Sequence, residues 1–546
     1  MIQAVKQGAN LLAISVFLML TSCDQVSTTK VLVTSSEESL AQKENITFKK
    51  KAPEGFTVTI DLENPRQTID GIGSSLTESS AFVLASVSPD TRRSILEELF
   101  GESGANFPII RTHMGSCDFS VEGRYSYAEE KNDRDLENFT LQPDRQGFSQ
   151  QKYPAIKDTT YDLLPLIKEV NQLKNAQSDK EFRIVASPWT APAWMKDNNA
   201  YFGDGTGGAL EKENYNLFAR YFLEYFKAME EEGINIWAVT PVNEPEGNNG
   251  SWESMHFDPT SEAEFVGQHL GPVIESSNFD HVKIFGFDQN RPELPHWAEG
   301  LMANEKARKY LDGFAIHWYG STFKVFEDIL DSIYNLYPDQ TIIHTEGCID
   351  NLGLEGGDWA EDPDGWQEEG WFNNDQWWWE KNATDWGYKV PWGNELHAMY
   401  APTHRYARNI IVGINNWMTG FIDWNAVLDK NGGPNHVGNF CGAPVMIDIE
   451  NHDIYYTPVF DVLKHFSTTI RPGDKALRAT PMKGAFADSL FVGATLSQEN
   501  NVVVSMLNVT RDPIAFNLQL GDYSAKITAP GNSIQTLIIP DLKSTK

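Results

Sequence analysis

WAVTPVNEP, residues 237–245, ends an apolar run in a polar pair and a proline, which cannot donate the backbone hydrogen bond of a continuing strand. A buried barrel strand that delivers an acid such as Glu244 to the C-terminal mouth ends in this way. Because Glu before Pro is also common in surface turns, this stretch is informative only if a second carboxylate arrives similarly. HTEG, residues 344–347, supplies it as Glu346 after another apolar run.

Eight candidate strands alternate with helical patterns, and they cover residues 71–76, 107–113, 183–189, 234–243, 282–287, 314–318, 341–345 and 420–424. Strands and helices in this alternation predict an α/β fold, a parallel (β/α)8 TIM barrel with right-handed crossovers. An open doubly wound sheet is the alternative. It is disfavoured because the first strand is not followed by a phosphate-binding loop: the stretch Gly71-Ile72-Gly73 lacks the third glycine of such a loop.

The two ends of the chain have a different pattern from the barrel segment, which we place at residues 68–467. From 468 to 541, short runs such as SLFVGATL and NVVVSMLN are separated by Asn, Asp, Pro and Gly, as in antiparallel strands of a sandwich. Residues 47–67 contain FTVTIDL, which alternates in strand fashion and needs partners elsewhere. The N- and C-terminal segments are therefore predicted to form one accessory β-sandwich domain together.

The first residues are typical of an export signal. Lys6 precedes an apolar run over residues 11–20 that is short for a membrane span, and the tetrapeptide LTSC resembles a bacterial lipobox ending at Cys23. We therefore expect a lipoprotein signal peptide over 1–22, lipid on Cys23, and a flexible tether over 23–46. The protein would be extracytoplasmic, in the periplasm or on the bacterial surface, with the lipid as its only membrane attachment. An ordinary secretory signal with an incidental cysteine is the alternative.

Charge and cysteine content exclude several classes of partner. The formal net charge of −32 disfavours nucleic acid and strongly acidic polysaccharides, and leaves a neutral ligand. Beyond Cys23, the cysteines are Cys117, Cys348 and Cys441, whose spacing matches no zinc pattern. Since three cysteines allow at most one disulfide, the chain is not a disulfide scaffold, and buried thiols are expected.

The polar ends of the strands form one ring in a barrel. Besides Glu244 and Glu346, they supply or lead to Asp118, Trp189, Asn243, His317, Tyr319 and Trp424. Such a carboxyl pair can cleave a glycosidic bond if one member is protonated and the other ionised, and aromatic rings suit the faces of a neutral sugar. Arg111 either pairs with the nucleophile or forms a structural salt bridge, and His317 fits a hydrogen-bonded barrel histidine better than a base.

The sequence also resembles glycoside hydrolase family 30, most closely its glucosylceramidase (glucocerebrosidase) branch. The matching stretches, in consistent order, are RQTIDGIGSSLTES from Arg66, SCDFS from Ser116, ASPWTAPAWMK from Ala186, WAVTPVNEPEG from Trp237, LPHWA from Leu294, HWY from His317, TEGC from Thr345, and GFIDWN with GGPNHVGNF from Gly420. The resemblance implies a retaining mechanism with Glu244 as acid/base and Glu346 as nucleophile, on a barrel with a β-sandwich. It also implies sugar contacts from Asp118, Trp189, Asn243, Trp424 and Asn439, with Tyr319 near the nucleophile.

One segment departs from the glucosylceramidases, which have a much shorter connection after the nucleophile. Residues 351–395 carry eight of the 16 tryptophans, namely Trp359, Trp366, Trp371, Trp377, Trp378, Trp379, Trp386 and Trp392. This loop either builds sugar subsites or folds on itself, and nothing in it identifies a lipid-binding feature. Ceramide is therefore not carried over as substrate.

These observations predict a retaining β-glycosidase that hydrolyses β-glucosidic bonds in neutral glucosides or glucans, with no cofactor and no metal. A β-1,6-glucanase of the same family is the alternative, and a non-catalytic surface glycan-binding lipoprotein is the alternative from another class. A metal-dependent barrel hydrolase is disfavoured because the sequence lacks a grouped set of His and Asp ligands.

Overall fold

The computed structural model describes residues 29–178, 182–203, 208–246, 250–321, 324–348, 403–439, 441–480, 486 and 489–540. The predicted signal peptide, Cys23 and the tryptophan-rich loop 351–395 lie outside these residues. Within them, no helix combines the length and the apolar character that crossing a membrane requires.

The strands in the described residues are, in chain order, β1 (Thr29–Ser35), β2 (Glu38–Ile46), β3 (Lys49–Lys50), β4 (Thr57–Ile60), β5 (Gly71–Ser74), β6 (Ile109–His113), β7 (Arg183–Ser187), β8 (Ala238–Val239), β9 (Lys283–Asn290), β10 (Gly313–His317), β11 (Thr341–Glu346), β12 (Met418–Asp423), β13 (Val427–Asp429), β14 (Val445–Asp448), β15 (Asp453–Tyr456), β16 (Lys475–Leu477), β17 (Leu490–Leu496), β18 (Val502–Asn508), β19 (Ile514–Leu520), β20 (Tyr523–Ala529) and β21 (Ser533–Ile539).

The α-helices of the same residues are α1 (Glu78–Ala85), α2 (Pro89–Phe100), α3 (Leu163–Asn175), α4 (Tyr215–Glu231), α5 (Pro259–Phe265), α6 (Gly271–Glu275), α7 (Leu294–Ala303), α8 (Glu305–Tyr310), α9 (Glu327–Leu336), α10 (Thr403–Asn415) and α11 (Pro458–Thr469). A π-helical turn, Val266–Leu270, joins α5 to α6. In α4 the aromatic residues Phe218, Tyr221, Phe222, Tyr225 and Phe226 recur at three- and four-residue spacing and are buried.

Strands β5 to β12 form a parallel barrel, hydrogen-bonded in the order β5-β12-β11-β10-β9-β8-β7-β6. The two ends of this order meet where the Leu76 amide donates to the Arg111 carbonyl oxygen at 2.9 Å. Gly73 permits this approach, since a Cβ there would lie 1.8 Å from the carbonyl oxygen of Ile109. Each of the eight predicted strands contains or overlaps an observed one. The TIM barrel is confirmed, and the open doubly wound sheet is wrong.

Two further sheets form the accessory domain, with orders β16-β17-β18-β21-β1-β2 and β3-β20-β19-β4. They share one apolar core, to which Val31 and Val504 contribute from the first sheet, and Val58 and Leu518 from the second. Strands from both ends of the chain therefore build one sandwich, and this prediction is confirmed.

The predicted tether is wrong for residues 29–46, which form β1 and β2. Strand β1 lies inside the six-stranded sheet, pairing antiparallel with both β2 and β21, and Val31 and Val33 are buried. Strand β2 is the edge strand, and most of its side chains are half-buried or exposed. An edge strand needs few apolar residues, so its polar composition resembles that of a linker.

Candidate active site

The interior of the barrel is filled by one apolar residue from each strand of β6 to β12, namely Ile109, Val185, Ala238, Phe285, Ala315, Ile343 and Ile422. Because side chains of a strand alternate with a period of two, the residue two positions later points into the same interior, nearer the C-terminal mouth. On five strands that residue is buried and polar: Arg111, Ser187, Thr240, His317 and Thr345. An apolar layer thus lies beneath these five polar side chains, which we call the polar ring.

Strand β9 contributes to this ring through an irregularity. Phe287 and Asp288 have φ values of 78° and 56°, and the pairing register with β10 shifts between Ala315 and Ile316. Phe287 consequently packs outward against Trp297 of α7, with ring centroids 5.4 Å apart. Asp288 takes the interior position that a regular strand would have given to Phe287.

Asp288 is the centre of the ring. One carboxylate oxygen accepts from Arg111 Nη2 at 2.8 Å, Thr240 Oγ1 at 2.7 Å and Ser187 Oγ at 3.2 Å; the other contacts His317 Nε2 at 3.0 Å and Thr345 Oγ1 at 2.6 Å. Burial favours the neutral acid, but Arg111 and His317 outweigh it and hold the pKa of Asp288 well below its usual range.

Sequence reasoning missed Asp288, although a signal was present. The predicted fifth strand stops at Phe287, one residue before the acid, so its polar end is not among the predicted site residues. An acid directly after an apolar run in a parallel strand is the same pattern that identified Glu244.

Arg111 joins the ring to the carboxyl pair. Its guanidinium donates to Glu346 Oε2 at 2.5 Å and to Asn243 Oδ1 at 2.6 Å, besides Asp288. The two alternatives for Arg111 are therefore both realised, because one buried side chain pairs with Glu346 and also makes a barrel salt bridge. Since Arg111 occupies Asn243 Oδ1, the amide Nδ2 of Asn243 is the group that can donate to a sugar oxygen.

His317 bridges Asp288 and Glu244, with Nδ1 3.0 Å from Glu244 Oε1 and Nε2 3.0 Å from Asp288 Oδ1. Burial lowers the pKa of His317, but the charge of Glu346 and the hydrogen bonds to Asp288 and Glu244 raise it to about 9. The imidazole is therefore protonated at neutral pH and donates from both nitrogens. Such a histidine is a fixed donor and not a general base.

This arrangement predicts a pH-dependent contribution of His317 to stability. Because the pKa is raised from 6.5 to about 9 on folding, the contribution is complete below pH 6.5 and is lost as the pH rises through about 9. We expect wild type to lose on the order of 3 kcal/mol of unfolding free energy relative to His317→Gln across this window. Urea unfolding of both proteins at several pH values measures the difference. A difference that does not change with pH would contradict the assignment.

Glu244 and Glu346 face each other across the mouth. Glu244 lies on the turn after β8 in a left-handed conformation, φ 46°, and its amide donates to the Asp288 carbonyl oxygen at 3.0 Å. Glu346 ends β11, where Tyr319 donates to its Oε1 at 2.9 Å. One oxygen of each glutamate and one nitrogen of His317 lie within 4.8 Å of one another. The side chains remain 18% and 7% exposed, respectively, so both can reach a ligand.

The pKa of Glu346 reflects opposing influences. Burial raises it above the usual range, His317 and Arg111 lower it, and the nearby Glu244 raises it. Arg111 and His317 together carry two positive charges beside Asp288 and Glu346.

The remaining predicted site residues line one side of the mouth. Trp189 and Trp424 stack with ring centroids 5.2 Å apart, and the Arg111 guanidinium lies 4.8 Å from the Trp189 ring. Asn439 Nδ2 donates to Asp118 Oδ2 at 3.0 Å. Burial, with the charge of Glu346, raises the pKa of Asp118 to about 8. The structure thus brings every predicted site residue together except Cys23, which lies outside the described residues.

The grouping of Glu244, His317 and Glu346 also has the composition of a metal site. It does not fit one, because both nitrogens of His317 already face carboxylates and its pKa is raised to about 9. A protonated imidazole has no lone pair to offer a cation. The arrangement is suited to proton transfer and nucleophilic attack.

A TIM barrel with two close carboxyl groups at its C-terminal mouth defines the class of carboxyl-dependent glycoside hydrolases. Residues 69–360 and 384–470 match the glycosyl hydrolase family 30 TIM-barrel domain. The match covers well over half of the chain, and the protein belongs to this family.

Named relatives share most of their length with the chain. It is 28% identical to the lysosomal acid glucosylceramidase of Mus musculus over 89% of this chain and 83% of that protein. It is 22% identical to an endo-1,6-β-D-glucanase of Trichoderma harzianum over 89% of this chain and 88% of that protein. The crystal structure of SrfJ from Salmonella typhimurium has the same fold, with a TM-score of 0.75, 24% identity, and coverage of 94% of this chain and all of that one.

Proposed function

We propose that the protein is a retaining β-glycosidase that hydrolyses β-glucosidic bonds by double displacement. The observation that carries this proposal is the short separation of Glu244 and Glu346, whose closest oxygens lie within 4.8 Å of each other. A retaining pair is about 5 to 5.5 Å apart, whereas an inverting pair needs about 6.5 to 9.5 Å to admit a water molecule.

In the first step, Glu346 attacks the anomeric carbon while Glu244 donates its proton to the leaving oxygen. Arg111 donates to Glu346 Oε2 and Tyr319 to Oε1, so the nucleophile is positioned as a carboxylate. His317 donates to Glu244 Oε1, which leaves the other oxygen of Glu244 to carry the proton. The products are a glycosyl ester on Glu346 and a neutral alcohol.

In the second step, the ionised Glu244 takes a proton from water, which attacks the anomeric carbon and releases Glu346. Arg111 and His317 stay charged throughout, and Asp288 holds both in place. Only Glu244 therefore alternates between protonated and ionised forms. Two inversions at the anomeric carbon return the β configuration.

The relatives support glucose as the glycone. By their names, one relative acts on glucosylceramide and the other on a 1,6-linked β-D-glucan. The stacked Trp189 and Trp424 provide apolar rings, and Asp118 and Asn439 provide hydroxyl partners, as a neutral sugar requires. The β-1,6-glucanase remains the second candidate, favoured by the similarity to the fungal glucanase.

A substrate panel tests the proposal. We expect hydrolysis of an aryl β-glucoside at least about tenfold faster than of the matched aryl β-xyloside, because the xyloside lacks the hydroxymethyl group and its contacts. Proton NMR during turnover should show the β anomer of glucose first. Faster release of reducing sugar from β-1,6-glucan selects the glucanase. Initial release of the α anomer would overturn retention, and binding without turnover on all three would favour the glycan-binding alternative.

We further propose that the chain is exported and anchored by lipid on Cys23. Support comes from Lys6, the apolar run 11–20 and the LTSC tetrapeptide. Labelling of expressing cells with a palmitate analogue should mark the wild type, whereas Cys23→Ser should carry no label. A wild-type chain without label but cleaved after its signal would support the ordinary secretory signal instead.

A further inference from the structure

Two cysteines lie beside the catalytic pair on different segments of the barrel mouth. Cys348 follows Glu346 by two residues at the end of β11, and Cys441 follows Asn439 by two residues between β13 and β14. Their Sγ atoms are 2.8 Å apart although 93 positions separate them in sequence. Cys348 is 1% exposed and Cys441 3% exposed. The fold therefore buries two thiol sulfurs in direct contact.

The backbone holds both cysteines in this position. The Cys348 carbonyl oxygen accepts from Trp318 Nε1 at 3.0 Å, and the Cys441 amide donates to the Gly432 carbonyl oxygen at 3.0 Å. A Cβ on Gly432 would lie 2.5 Å from the Cys441 carbonyl oxygen, so the connection between β13 and β14 folds this closely on itself only with glycine at 432. A hydrogen bond thus holds the main chain of each cysteine where the two sulfurs meet.

The pair also contacts the site. Tyr319 Oη lies 3.5 Å from Cys348 Sγ and donates to Glu346 Oε1 at 2.9 Å. A chemical change at the two sulfurs therefore reaches Glu346 through one side chain, that of Tyr319. It also affects the segment that carries Asn439, two residues before Cys441.

We propose that Cys348 and Cys441 are a redox-active thiol pair that forms a disulfide by exchange with a small-molecule disulfide such as oxidised glutathione. One thiolate attacks the oxidant, breaks its S–S bond and expels a thiol; the second cysteine then attacks the mixed disulfide and expels the other thiol. The two cysteines lose two electrons and two protons, and the oxidant becomes two thiols. The new bond joins the segment of Glu346 to the segment of Asn439.

Closing this bond needs little movement, because a disulfide is about 2.05 Å long and the sulfurs already touch. The hydrogen bond from Tyr319 to Glu346 can therefore persist, and we expect turnover of the oxidised protein within about twofold of the reduced protein. The cross-link closes a long loop and should slow unfolding of the barrel mouth. Oxidation thus protects the site without switching it off.

Peptide mapping of the full-length protein tests the bond directly. After treatment with oxidised glutathione, alkylation and proteolysis, we expect one cross-linked peptide that contains Cys348 and Cys441 and is lighter by two hydrogens than the reduced pair. Exchange is run at room temperature and again just below the unfolding temperature, because burial slows access of the oxidant. Alkylation of both cysteines under both conditions, a glutathione adduct that persists with no cross-linked peptide, or a link to Cys117 would overturn the proposal.

Heat inactivation provides a second measurement. The oxidised wild type should have a half-life at least about tenfold longer than the reduced wild type. The matched control Cys117→Ser, which removes a buried thiol elsewhere, should keep this ratio. In Cys348→Ser and in Cys441→Ser the ratio should fall to about one. An equal ratio in all four proteins would contradict the proposal even if the glycosidase assignment holds. Because the peptide mapping needs no substrate, it tests the disulfide even if the glycosidase assignment fails.

Discussion

Glu346→Gln is expected to lower kcat on an aryl β-glucoside by at least about 10⁴-fold, because the amide cannot attack the anomeric carbon. The substitution keeps the shape of the side chain. Arg111 can still donate to a carbonyl oxygen at the Oε2 position, and an amide NH2 at the Oε1 position can donate to the Tyr319 hydroxyl. The loss should therefore fall on kcat, with KM changed far less. Steady-state kinetics, with circular dichroism to verify folding, measures both.

A matched control separates loss of chemistry from loss of a buried glutamate. Glu262 on α5 is also buried, and burial raises its pKa to about 8, so it is largely neutral at pH 7. Its Oε1 accepts a hydrogen bond from the Phe287 amide at 2.9 Å, and the carbonyl oxygen of a glutamine can accept the same bond. Glu262→Gln should keep kcat within about threefold of wild type. Full activity in Glu346→Gln would remove Glu346 as nucleophile.

The barrel could be predicted because its evidence is local and repeated. Each strand is an apolar run of the right length, and each delivers a polar residue at its end, so the order of strands followed from the chain itself. The pairing of Glu244 with Glu346 followed from the same regularity, since parallel strands end on one face. To pair Glu244 with Glu346 it is enough to know that both strands end on the same face of the barrel, and the distance between the two carboxyl groups is not needed.

The acid at the end of the fifth strand could be predicted, but its inward direction and its contacts could not, because they depend on an irregularity. The left-handed conformations at Phe287 and Asp288 turn the acid inward, and nothing in a period-two pattern indicates where that period breaks. Sequence reasoning therefore named Arg111 and His317 but left them without the carboxylate that holds both. Their three-way contact is a property of three strands, β6, β9 and β10, that are distant in sequence.

The first strand of the sandwich shows the opposite limit. The polar composition of residues 23–46 predicts a tether, yet β1 pairs with β21 from the other end of the chain. Three apolar residues, 31–33, are sufficient once two strands flank them. The composition of a segment indicates only whether that segment can form a core by itself. It does not show that a strand near one terminus will pair with strands from the other end of the chain.

Glu244→Gln should separate the two steps of the mechanism. On an aryl glucoside with a poor leaving group, we expect kcat/KM to fall by about 10² to 10⁴-fold, because the leaving oxygen receives no proton. With a dinitrophenyl leaving group the first step needs no acid, so the glycosyl ester on Glu346 should accumulate as a burst. The second step is then slow, since water lacks its base.

Azide distinguishes this role from simple damage to the site. Azide needs no general base, and the neutral glutamine does not repel it as the Glu244 carboxylate would. We expect at least a tenfold rise in turnover of the dinitrophenyl glucoside by Glu244→Gln, with β-glucosyl azide as product. Glu346→Gln is the matched variant and should show no rescue to the β product. An azide product of α configuration from Glu244→Gln would reverse the assigned roles, because retention requires that Glu346 remain the nucleophile.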